Sequence, residues 1–164
     1  MGRTLLIMRH AKSRWDDPGV ADHDRKLAGR GKADTRRIGQ ALRARNLIPD
    51  VIISSTARRA RDTARRVAKG CQFDGSSRLD PGLYPGKPES FVDLLTSLEP
   101  SVRCVLVVGH NPGLEEWLLH LTGQAAALPT AAIARVELAV DDWQQVSGST
   151  AGKLLCIMTP RELR

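Results

Sequence analysis

Apolar residues follow two rhythms along this chain. Leu5-Leu6-Ile7-Met8, Val51-Ile52-Ile53 and Val105-Leu106-Val107-Val108 are unbroken runs of three or four bounded by polar residues, the pattern of strands buried on both faces. Between the runs the spacing becomes helical. Gly31 to Arg45 carries Ile38, Ala41 and Leu42 as the buried stripe of a helix that Asn46-Leu47-Ile48-Pro49 ends. A second helix, capped by Ser55 or Thr56, has Ala60, Ala64, Val67 and Ala68 as a narrow face of small residues. A third runs from Pro88 to Leu98 with Phe91, Leu94, Leu95 and Leu98 inward. A fourth opens with Asn111 as cap and Pro112 at the first position, burying Leu114, Trp117, Leu118 and Leu121. Alternating strands and helices predict right-handed crossovers in a mostly parallel central sheet with helices on both faces, an α/β three-layer sandwich.

After Gly123 the pattern changes. Ile133 to Val140 and Leu154 to Met158 read as strands joined by a polar loop, an antiparallel ribbon closing one edge of the sheet. Asp74 to Pro88, rich in Gly and Pro, reads as a loop within the domain. No repeat, low-complexity segment or linker is visible, so residues 1–164 are expected to form one domain, burying roughly 70% of its unfolded surface. Gly29-Arg30-Gly31-Lys32 and Gly148 to Lys153 are fragments of a Walker A pattern only. The first has Lys26 where the leading glycine belongs; the second has three residues before its final Gly-Lys and no following Ser or Thr.

Charge is divided unevenly. Residues 1–70 hold 18 Lys and Arg against 7 Asp and Glu, net +11, whereas residues 71–164 hold 7 against 11, net −4. Such a field steers anionic partners. Aromatics are few and none interleaves with the arginine-rich stretches, so no nucleic-acid partner is expected. Cys71, Cys104 and Cys156 are odd in number and widely spaced, and read as reduced core residues rather than a disulfide framework. Four strongly apolar residues before Arg9 are too few for a secretion signal, and no stretch approaches membrane-spanning length. The expectation is a cytoplasmic protein, a monomer or weak dimer, with no membrane partner.

The strand runs end in chemistry. The first leads into Arg9-His10, the last into Gly109-His110, and the second into Ser54-Ser55-Thr56-Ala57-Arg58-Arg59-Ala60. Ligands of open α/β sheets bind just beyond the carboxyl ends of the strands, so these imidazoles and guanidiniums should face one crevice. Guanidinium forks match phosphate oxygens, and an imidazole either attacks phosphorus or donates a hydrogen bond to the phosphoryl group. The pattern points to phosphoryl chemistry. Plain solvation is the reading kept for Arg61, Arg65, Arg66 and Lys69. No helix presents His and carboxylate ligands at i, i+3 or i+4 around the two histidines, so no metal is expected.

Met8-Arg9-His10-Ala11, the Ser-Ser-x-x-x-Arg-Ala-x-x-Thr-Ala stretch from Ser54 to Ala64, and Val108-Gly109-His110-Asn111-Pro112-Gly113 together resemble the histidine phosphatase superfamily, with its Arg-His-Gly signature. Ala11 stands where glycine is usual. Asp22-His23-Asp24-Arg25-Lys26-Leu27 followed by Gly29-Arg30-Gly31 is similar to a segment of the SixA-like phosphohistidine phosphatase branch, with Lys26 in place of proline. The resemblance spans nearly the whole chain and implies a phosphoglycerate mutase-like fold with no cofactor. It implies His10 as the nucleophile that is transiently phosphorylated, Arg9 and Arg59 as phosphate-binding cations, and His110 closing the phosphate pocket. Arg59 rather than Arg58 fits, because it directly precedes the motif's alanine; Arg58 is then a solvated neighbour. Arg25 matches a further arginine of the branch and is expected to bind substrate. His23 and His120 are expected to stand outside the chemistry.

His10 must attack as neutral imidazole. Nearby guanidiniums lower its pKa, and a hydrogen bond from its other ring nitrogen to a backbone carbonyl would fix the tautomer. His110, at a helix start, is expected to be cationic once phosphate is bound. Larger members of the family resembled use a carboxylate before the final histidine strand as proton donor. Here Leu79 to Ser90 is short, its Leu83-Tyr84-Pro85 resembles the SixA branch, and Asp80 and Glu89 are the remaining acids to weigh. A phosphohistidine leaving group can already carry its proton and needs no such acid. The expected activity is a metal-independent phosphatase working through a covalent phosphohistidine, on phosphohistidine proteins such as a histidine-containing phosphotransfer domain, or on a small phosphorylated substrate. A mutase or sugar-phosphate phosphatase would want an acid and a lid. A non-catalytic module that only holds phosphate would not need Arg9, His10, Arg59 and His110 together.

Overall fold

The computed structural model describes residues 2–163; Met1 and Arg164 of the expected 1–164 span lie outside the described residues. Six strands, β1 (Arg3–Arg9), β2 (Val51–Ser54), β3 (Ser76–Leu79), β4 (Cys104–Gly109), β5 (Ile133–Leu138) and β6 (Gly152–Met158), make one sheet in the order β3-β2-β4-β1-β5-β6. β1 to β4 pair in parallel, whereas β5 pairs antiparallel with β1 and β6 antiparallel with β5, the ribbon that the sequence predicts.

Period-two alternation divides the apolar runs between two cores. Leu6, Met8, Ile52 and Leu106 face α1 (Gly29–Ala44) and α2 (Arg58–Gly70), meeting Ile38, Leu42 and Val67. Leu5, Ile7, Ile53 and Val107 point the other way, to α3 (Pro88–Thr96) and α4 (Gly113–Thr122), where Phe91 stacks on Trp117. These are the three layers. α1 and α2 pack backbone to backbone: a Cβ on Gly39 would come within 2.8 Å of the Cα of Gly70. The start of α1 is pressed as closely on the loop after β1, since a Cβ on Gly31 would lie 2.2 Å from the Lys12 carbonyl oxygen.

Several expectations need correcting. The stretch 74–88 is not all loop, because Ser76–Leu79 forms β3 at the sheet edge; all four of its residues are exposed and it pairs through backbone alone, so it has no apolar rhythm to read. Neither Ser55 nor Thr56 caps α2: Ala57 holds that position without a side-chain bond. Pro112, not Asn111, is the cap residue of α4, again with no side-chain bond. All three cysteines are free, yet Cys156 is exposed rather than in the core, because it lies on the edge strand β6. Among the described residues, no helix is long and apolar enough to cross a membrane.

Candidate active site

Register sets the site. Arg9 stands opposite Gly109 in the β1–β4 pair, so His10 and His110 leave adjacent parallel strands at the same level. The His10 backbone N–H continues the ladder to the Gly109 carbonyl at 3.0 Å. The two imidazole rings lie 5.2 Å apart, centroid to centroid. β2 ends on the other side of β4, and its connection brings Ser55 and the first turn of α2, with Arg59, to the same edge. His10, His110 and Arg59 are all buried there.

His10 is held in one tautomer. Its Nδ1–H donates to the Ala11 carbonyl at 2.8 Å, which leaves the lone pair on Nε2, and the Arg59 Nε–H donates to that lone pair at 3.4 Å. The unprotonated ring nitrogen therefore faces a guanidinium, an arrangement suited to a nucleophile beside the cation that would stabilise phosphoryl oxygens. Burial pushes the His10 pKa down to about 3; the Ala11 carbonyl opposes it, and the neighbouring His110, Arg59 and Arg9 add smaller lowering effects. His110 is lowered to about 4, by burial first and by Arg59 second, with Asp22 opposing. Both rings are neutral in the free protein near pH 7.

Ser55 orients His110. Its Oγ lies 2.7 Å from His110 Nε2 and accepts the Ala57 N–H at 3.1 Å, so the hydroxyl proton is available to the imidazole. Donation by Ser55 leaves the His110 proton on Nδ1, which is buried and finds no hydrogen-bond partner among the described residues. That is a donor suited to an anion. Arg9 Nε is likewise buried without a partner, while its Nη1 donates to the Leu128 carbonyl at 3.3 Å.

Asp22 gathers the remaining charges. Its carboxylate accepts from Tyr84 Oη at 2.6 Å, Arg59 Nη2 at 3.1 Å and Arg25 Nε at 3.0 Å, and its carbonyl accepts from Arg59 Nη1 at 2.7 Å. The Tyr84 bond and then Arg59 hold the Asp22 carboxyl down at about 2, so it is ionised at neutral pH. Arg25, expected to bind substrate, thus reaches the site through Asp22. Tyr84 packs edge-on against His110 at 5.2 Å and against His23 at 5.0 Å, and His23 Nε2 meets Thr56 Oγ1 at 2.9 Å. His23 is a rim residue. His120 is remote, on α4 against the Gly148 carbonyl.

The structure brings together Arg9, His10, Arg25, Arg59 and His110. From the sequence Ser55 is expected only as a helix cap, and Asp22, Thr63 and Tyr84 stand within motifs without a role of their own. Thr63 accepts the Ala11 N–H at 3.0 Å and donates to the Arg59 carbonyl at 2.6 Å, tying the turn after His10 to the first turn of α2. Asp80 is spent on its own turn, accepting the Gly82 N–H at 2.8 Å, and Glu89 lines a separate groove of about 520 Å³ between α3 and α4. Neither acid serves the histidines.

The depressed pKa values have a testable sign. An imidazole whose folded value lies below its ordinary 6.5 contributes stability that is fully present above pH 6.5 and is lost as pH falls through about 4 and then 3. In two-dimensional NMR the ring signals of His10 and His110 are expected to stay in the neutral form down to pH 5. A midpoint near 6.5 for either ring contradicts the burial argument.

Residues 5–84 match the histidine phosphatase superfamily (branch 1). A protein of Mycobacterium tuberculosis, itself uncharacterized, is 36% identical over 133 residues, 81% of this chain and 75% of that one. The chain belongs to the histidine phosphatase superfamily, branch 1. Its structure resembles a SixA from Agrobacterium tumefaciens described as a candidate phosphohistidine phosphatase, with TM-score 0.82 and 26% identity over 98% of this chain and 99% of that one. It also shares its fold with the protein histidine phosphatase SixA solved with tungstate, with TM-score 0.83 and 24% identity over 98% and 99% of the two chains. The fold is accordingly the phosphoglycerate mutase-like α/β sandwich.

Proposed function

We propose that this chain is a metal-independent phosphatase that removes phosphoryl groups from phosphohistidine in proteins, with His10 as the transient acceptor. The observation that carries the reading is the fixed tautomer of a neutral His10, its unprotonated Nε2 turned to Arg59. In the first step His10 Nε2 bonds to phosphorus and the substrate's P–N bond breaks, releasing imidazole that retains the proton it brought. In the second, water attacks phospho-His10, the new P–N bond breaks, and inorganic phosphate leaves. Arg59, Arg9 and the His110 Nδ1–H supply donors for the equatorial oxygens, so the positive charge that a metal would bring is already present in side chains.

The choice of leaving group rests on proton supply. Asp22 is the carboxylate set against Arg59, and it is ionised by its three donors, so it has no proton to give at neutral pH. Asp80 caps a turn. A phosphomonoester, whose alkoxide leaves poorly without an acid, is the less suited substrate; protonated phosphohistidine is the better one. The expected result is that kcat/KM for alkyl phosphates falls roughly a hundredfold or more below that for phosphohistidine. Comparable rates on phosphoserine would instead favour the second reading, a small-molecule phosphomonoester phosphatase or mutase-like enzyme. Rapid quench after brief mixing should trap acid-labile phosphate on His10.

The chain acts as a single domain, as a monomer or weak dimer, and its three free thiols accord with a cytoplasmic setting. Phosphoryl donors, protein or small molecule, are its partners; nucleic acid and membrane are not.

A further inference from the structure

Among the described residues, Trp15 is the most exposed large apolar side chain, at 71%. Its ring is nevertheless anchored, because the Arg25 guanidinium lies over it with Cζ 3.5 Å from the ring centroid. Arg25 donates from Nη1 to Ser13 Oγ at 2.6 Å and from Nε to Asp22, which in turn engages Arg59 beside His10. An unbroken series of contacts therefore joins an outward-facing indole to the nucleophile. The loop that carries it is built rather than loose. Ser13 bridges to Leu27, the Arg14 N–H donates to the Lys26 carbonyl at 2.8 Å, and Asp17 takes the backbone N–H groups of Gly19 and Val20. Val20, also exposed, sits on the same loop.

A tryptophan in water forgoes its apolar burial, and tryptophan is among the side chains enriched at the energetic centres of protein interfaces. A small phosphorylated molecule is oriented by the guanidiniums alone and gains nothing from an apolar platform outside them. We propose that Trp15 is a docking contact for a protein substrate: an apolar patch beside the phosphohistidine seats on the indole while the phosphoryl group reaches His10. This rests on the phosphohistidine-protein reading above.

The test compares Trp15→Ala and Trp15→Phe with the unaltered chain on two substrates, p-nitrophenyl phosphate and a histidine-containing phosphotransfer domain phosphorylated with phosphoramidate. Trp15→Ala should raise KM for the phosphorylated domain about tenfold with kcat within about twofold, leave the aryl phosphate constants within about twofold, and be largely rescued by Trp15→Phe. In a His10→Ala background, Trp15 emission should shift to shorter wavelength on adding the phosphorylated domain but not inorganic phosphate, with Trp117 and Trp143 buried and silent. Equal losses on both substrates would mean that the indole only holds Arg25 in place, and would overturn the docking role. An unchanged KM for the domain, or a rise confined to phosphorylated aromatic small molecules, would overturn it as well. If the unaltered chain hydrolyses the aryl phosphate but not the phosphorylated domain, the substrate reading falls and this proposal with it. Turnover of the domain without any Trp15 effect removes the docking contact alone.

Discussion

His10→Ala is expected to lower kcat for p-nitrophenyl phosphate by roughly four orders of magnitude or more, the scale seen when a covalent nucleophile is deleted. No second group can take over. His110 is neutral too, but its Nε2 is engaged by Ser55, and Asp22 is occupied by three donors. The variant should still fold, because the backbone bond from residue 10 to the Gly109 carbonyl does not involve the ring and the flanking strands keep their apolar faces. Circular dichroism and a thermal melt check that point. Near-normal turnover by a folded variant would end the covalent mechanism, whereas phosphate still trapped on the chain would relocate the acceptor.

Arg59→Ala is expected to cost roughly a hundred- to a thousandfold in kcat/KM, the range for removing one donor from a developing oxyanion. Arg59 is the residue common to the nucleophile and the carboxylate, with Nε on His10 and both Nη atoms on Asp22. Its loss removes the nearest positive charge from the reacting phosphorus and leaves Asp22, still ionised through Tyr84 and Arg25, repelling an incoming phosphoryl group. Arg59→Lys should recover little, since one ammonium cannot fill three directed positions. Steady-state kinetics on the aryl phosphate decide it: a loss of less than tenfold in the alanine variant would show that Arg9 and Arg25 carry the charge instead.

Much of this was legible in the residues, and the reasons for the rest are physical. β1, β2 and β4 announce themselves because both of their faces are buried, and their register then places His10 beside His110. β3 has no such signature, since all four of its residues are exposed. The misread caps have a common cause. Ser55 and Asn111 have side chains suited to capping, yet the first is committed to His110 and the second to the Leu128 carbonyl, so function and loop packing outcompete the helix ends. Asp22 and Tyr84 are 62 positions apart, and no local pattern shows that their side chains meet.

The Thr63 hydroxyl has a mechanical consequence. It accepts from the residue after the nucleophile and donates to the carbonyl of the residue that bears the nearest cation. Two crossovers that could drift independently are thereby pinned at one oxygen, so any sway of α2 carries imidazole and guanidinium along as a pair. The direct Arg59–His10 bond fixes the spacing of attacker and charge, and this second tie couples the backbones that carry them.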